Sequence, residues 1–129
     1  MSAHAVFTAG LTVLVVEDEA IIAMDREVNL TSFGYKVLGP AMTVKAAMKL
    51  LTDHRPDAAI LDYTLRGNEN VTPVAAQLKA TGIPFIMVTA REPAMLTDMT
   101  LSGIENIGKI VDPKMLKEAL EGLMSAARA

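Results

Sequence analysis

Three stretches of this 129-residue chain, LTVLVV (11–16), AAILD (58–62) and PFIMVT (84–89), are almost unbroken in apolar residues. Successive side chains of a strand point to opposite faces, so a strand without polar alternation needs cover on both sides. YKVLG (35–39) and ENIGKI (105–110) read as two further strands, the second weakened by Asn106 and Gly108. Between the strands the apolar period becomes helical. Val44, Ala47, Met48 and Leu51 form one stripe, Val71, Val74, Ala75 and Leu78 another, and Leu116, Ala119, Leu120 and Leu123 a third. Ile21, Met24 and Val28 predict a thinner stripe for the first helix, whereas a fourth helix over Glu92–Ser102 has Met95 and Met99 but few packing anchors. Gly34, Gly82 and Gly103 fall where helices should end, and Asp112-Pro113 offers an N-cap and a first-turn proline for the last helix. The expectation is a doubly wound (βα)5 α/β fold, a parallel five-stranded sheet with helices on both faces. Residues 1–9 read as a flexible tail before a single domain, with no output domain attached.

Composition narrows the function. No Cys is present, so a disulfide framework, a thiolate metal site and a cysteine nucleophile are excluded. The net charge is -3 and Lys and Arg are scattered, which gives nucleic-acid binding little support. The N-terminus lacks a signal peptide's positive region, and LTVLVV is too short to span a membrane, so a cytoplasmic domain is expected. His4 and His54 have no Ser or carboxylate partner at a suggestive spacing, which argues against a triad or a histidine metal site.

In an open parallel sheet, ligands bind beyond the carboxyl ends of the strands. The polar residues falling there are Glu17 and Asp18 after the first strand, Asp62 ending the third, Thr89 ending the fourth and Lys109 near the end of the fifth. Each has an ordinary explanation taken singly: acids suit a helix's first turn, Thr89 and Glu92 fit a capping box, and Asp62 suits a turn. Their coincidence at four strand ends describes a site. Clustered carboxylates beside an open edge suit a hard divalent cation such as Mg²⁺. One carboxylate can then act as a nucleophile toward phosphorus, aided by a compact ammonium and a hydroxyl donor.

VLVVEDE, AAILDYTLRG, PFIMVTA and the following Lys109 resemble the receiver domain of two-component response regulators over nearly the whole chain, and most of all stand-alone alphaproteobacterial receivers. The resemblance implies a flavodoxin-like sheet in the order 2-1-3-4-5. It makes Asp62 the phosphoacceptor, fed by a histidine kinase or a histidine phosphotransfer protein. Asp18 would bind Mg²⁺ directly and Glu17 mostly through water, with the backbone carbonyl of Thr64 as a further ligand, while Thr89 and Lys109 hold the phosphoryl group. Such a domain catalyses only its own phosphorylation and dephosphorylation. It would be a monomer or weak dimer that reports to a downstream protein through its fourth helix, fifth strand and last helix, with movement or ordering of residues 92–102 as the switch. The chain departs from the family pattern in KIVDP, where Ile110 replaces the usual proline and predicts a trans Lys109–Ile110 bond. Asn106 stands where an aromatic is usual, and Arg66 where a proline is common. These departures support an alternative, a receiver-fold binding module that works without phosphorylation. A small aspartyl phosphohydrolase fits less well, because Asp18 is followed by Glu19-Ala20 rather than by a second Asp two residues on.

Overall fold

The computed structural model describes residues 10–62, 70–89, 106–108 and 113–128. Strands β1 (Thr12–Val16), β2 (Lys36–Ala41), β3 (Ala58–Asp62), β4 (Phe85–Thr89) and β5 (Asn106–Gly108) form one sheet in the order β2-β1-β3-β4-β5. Every neighbouring pair is parallel. Helices α1 (Ala20–Ser32), α2 (Val44–Asp53), α3 (Thr72–Ala80) and α4 (Pro113–Arg128) complete the described elements. The expected tail 1–9, the expected helix over 92–102, Gly103 and the Lys109–Ile110 bond lie outside the described residues. Among those residues, no helix is long and apolar enough to cross a membrane.

The unbroken apolar runs are explained by two cores, one on each face of the sheet. Leu14, Val16, Ala59, Leu61, Phe85 and Met87 pack with Ala47 of α2 and with Val74, Ala75 and Leu78 of α3. The alternate residues Val13, Val15, Ala58, Ile60, Ile86 and Val88 pack with Leu30 of α1 and with Leu116, Leu120 and Met124 of α4. The stripes read for α2, α3 and α4 are therefore the ones that touch the sheet.

The first helix is different. Ile21, Met24 and Val28 are 84%, 64% and 66% exposed, while α1 buries Ala23, Arg26 and Leu30. Both sets have helical spacing, so periodicity alone does not choose between the faces. Leu30 anchors the buried face in the core, and the small Ala23 lets the helix lie close.

Strand β2 also runs two residues beyond its predicted end at Gly39. Gly39 has φ +97°, and a Cβ there would lie 2.7 Å from the nitrogen of Ala41 and 3.0 Å from the carbonyl oxygen of Val15. Only glycine fits this close approach without strain. Pairing with β1 shifts register here, between Leu14 and Val16, and then resumes as Val16 opposite Ala41. Pro40 is tolerated because β2 is an edge strand.

Two stability outcomes follow from these cores. Leu30→Ala should cost about 2–5 kcal/mol, whereas Val28→Ala should change stability by no more than about 0.5 kcal/mol, as read from urea midpoints. Buried Tyr35 supplies the second. Desolvation, and then Glu121, push its phenol above the ordinary range. A raised acid pKa favours the neutral phenol in the fold, so that stability is full below about pH 10 and is lost as pH rises through the folded value. Between about pH 8 and about pH 11, wild type should lose more stability than Tyr35→Phe.

Candidate metal centre

Strand order reverses between β1 and β3: the chain leaves β1 for β2 on one side and returns to β3 on the other. A crevice opens at such a point beyond the carboxyl ends of the strands. Val16 is paired in register with Leu61, so Glu17 and Asp62 leave adjacent strands side by side. Extended pairing carries one residue past β1, since the Glu17 amide donates to the carbonyl of Ala41 at 2.9 Å. The Glu17 carboxylate Oε2 in turn accepts from the backbone amide of Glu19 at 3.1 Å, at the entrance to α1. Glu19, the N-cap residue, makes no side-chain cap. The acid loop therefore meets the positive end of the α1 dipole.

Glu17, Asp18 and Asp62 are 0%, 5% and 2% exposed, and one ligand oxygen from each lies within 4.8 Å of the other two. Charges this close repel strongly when water is scarce. An octahedral Mg²⁺ with oxygens at 2.0–2.1 Å would set cis ligands about 2.9 Å apart and trans ligands about 4.2 Å apart. Oxygens held within that limit can share one such ion, and the all-oxygen donor set suits a hard cation.

Thr89 closes β4 one residue beyond Val88, the register partner of Asp62, which puts its backbone at the same sheet edge. Thr64 and Lys109 lie outside the described residues. The fold thus brings together the three expected carboxylates. It also adds a residue that the sequence reading passed over. Arg26 of α1 is 3% exposed, and with Glu17, Asp18 and Asp62 it makes up the buried polar and charged set among the described residues. Desolvation pulls its guanidinium below the ordinary arginine range, while Glu17, then Asp25 and Asp62, act in the opposite direction. The available signal was a cation four residues before Leu30 and three after Ala23, on the helix that follows the acids.

The family model for the response regulator receiver domain matches residues 13–121. The phyllosphere-induced regulator PhyR of Methylorubrum extorquens is 34% identical over 87 residues, covering 66% of this chain and 33% of PhyR. The phosphate regulon transcriptional regulatory protein PhoB of Pseudomonas aeruginosa is 31% identical over 121 residues, covering 89% of this chain and 52% of PhoB. The solution structure of SdrG from Sphingomonas melonis Fr1 superimposes with a TM-score of 0.77 at 35% identity, covering 91% of this chain and 98% of SdrG. The chain spans one third to about half the length of these two curated relatives. A doubly wound sheet with an acid cluster at its switch point defines the class, and the chain belongs to the response regulator receiver domain family.

Replacing one anionic ligand by an amide tests the centre. Asp18→Asn should weaken Mg²⁺ binding by about tenfold or more in a calorimetric or NMR titration, with the circular dichroism spectrum unchanged.

Proposed function

We propose that this protein is a phosphoacceptor signalling domain in which Asp62 receives a phosphoryl group from a histidine kinase or a histidine phosphotransfer protein. The observation carrying this reading is the convergence of Glu17, Asp18 and Asp62, all buried, at the switch point of a receiver fold. An Asp62 carboxylate oxygen attacks phosphorus, the P–N bond of the phosphoimidazole breaks, and the departing imidazole nitrogen takes a proton. Glu17, Asp18 and Asp62 would hold Mg²⁺, with the Thr64 carbonyl as a further ligand. When bound, the ion supplies charge neutralisation of the phosphoryl oxygens. Thr89 and Lys109 take the role of holding the phosphoryl group, as they do in the resemblance. The domain turns over no external metabolite and acts in the cytoplasm, passing its signal to a protein partner.

A donor protein must cross the rim of the crevice to reach Asp62. Ile21 and Met24, exposed on the first turns of α1 next to the acid loop, offer it an apolar foothold. Single exposed apolar residues are ordinary, but with Val28 these make three on one helix face, a contiguous strip.

Incubation with Mg²⁺ and acetyl phosphate, followed by intact mass measurement, tests the reading. Wild type should gain one labile phosphoryl group, and folded Asp62→Asn should gain none. No gain by wild type selects the phosphorylation-independent binding module, and continuing phosphate release from many substrates selects a phosphohydrolase.

A further inference from the structure

The sheet alternation aims two of the three carboxylates at α1. Val13 and Val15 belong to the core under α1 and α4, and Glu17 continues that alternation with its amide still bonded to β2. Ala58 and Ile60 belong to the same core, and Asp62 continues their side of β3. On α1 the residues facing this side are Ala23, Arg26 and Leu30. Leu30 packs into the core, and Arg26 lies about one turn nearer the acid loop. Helical side chains lean toward the N-terminus of their helix. A side chain leaning that way carries the Arg26 guanidinium toward the end of α1 at which Glu17 and Asp62 stand.

A nearly fully buried guanidinium requires anions close by, and a buried carboxylate cluster requires cations. In this fold each requirement answers the other. Glu17 and Asp62 lie on the side of the sheet that α1 covers, and with Asp25 they favour the charged form of the buried Arg26. Two of the three candidate metal ligands are thus placed to act as its counterions. Counting the formal charges of the buried set alone, Arg26 offsets one of the three carboxylates that an incoming divalent cation meets. It must also approach carboxylates already attracted to an internal cation.

We propose that Arg26 is a built-in counter-cation of the acid site, a positioning residue that holds Glu17 and Asp62 together in the metal-free protein and lowers the affinity of the site for Mg²⁺. This rests on the reading of Glu17, Asp18 and Asp62 as a metal centre. The arginine adjusts the Mg²⁺ concentration at which the site loads. It also removes much of the repulsion that would otherwise destabilise the empty site. Loss of the charge should have opposite effects on the two states: a weaker metal-free fold and a tighter metal complex. Simple packing damage would not tighten metal binding.

The test is a Mg²⁺ titration of wild type, Arg26→Met and Arg26→Lys by calorimetry, with thermal unfolding of each protein in chelator and in saturating Mg²⁺. Arg26→Met should bind Mg²⁺ about tenfold more tightly or better, unfold at a lower temperature in chelator, and show a larger upward shift with Mg²⁺ than wild type. Arg26→Lys, which keeps the charge, should return affinity toward wild type. In wild type itself, the Arg26 Nε–H resonance should shift on addition of Mg²⁺, a readout that stands even where Arg26→Met fails to fold. A folded Arg26→Met with wild-type Mg²⁺ affinity, or an Arg26 resonance indifferent to the ion, would overturn the proposal and leave the metal centre intact. No saturable Mg²⁺ binding by any of the three would overturn the metal centre and the proposal together.

Discussion

Three carboxylates kept close together with little water are the constraint on which the rest of this structure turns. Each is 5% exposed or less, and their ligand oxygens share a volume under 5 Å across. Such an arrangement is unfavourable in isolation, so the surrounding fold must make it tolerable. It does so by several means at once: a backbone amide donated to Glu17, the positive end of α1, and the guanidinium of Arg26. The apolar sheet confines this chemistry to its edge. Strands with both faces buried leave no room for charge along their length, so polar groups collect where the strands stop.

The support for Glu17 reaches further than its immediate neighbours. Its amide bonds to Ala41, which β2 can present only because the strand continues through Gly39 and Pro40 after a register shift. A side chain at Gly39 would collide with the backbone of Val15 and Ala41. An irregularity on an edge strand is thereby tied to the orientation of a candidate metal ligand. Bulges beside functional sites commonly aim side chains in this way.

Much of this was legible in the sequence, and the illegible parts share a cause. AAILD gave β3 its bounds because an unbroken apolar run has few ways to be buried. Val74, Ala75 and Leu78 were readable as the sheet-facing side of α3, since one apolar stripe had one apolar surface to meet. Glu17, Asp18 and Asp62 were readable as a cluster because strand ends in a parallel sheet have a fixed destination. The predicted second strand ends at Gly39, whereas β2 runs on through Pro40 to Ala41, because an edge strand tolerates a residue without an amide hydrogen. Arg26 was missed because hydrophobic patterning assigns every charge to solvent. That rule fails where the surface being covered is itself charged.

Helix α1 therefore inverts the usual division of an amphipathic helix over half its length. Its buried side carries an arginine toward the acids, and its outer side carries Ile21, Met24 and Val28 into solvent. The two departures have separate origins. The inward charge follows from the electrostatics of the crevice, which no apolar residue at position 26 would relieve. The outward apolar strip has no such internal reason, since moving those side chains into water gains the isolated domain nothing. That strip begins at the second residue of the helix that opens beside the crevice, on the side from which the proposed donor would approach. On the proposed reading, one helix would face the acids with its buried side and the donor with its exposed side, at the same end of the sheet.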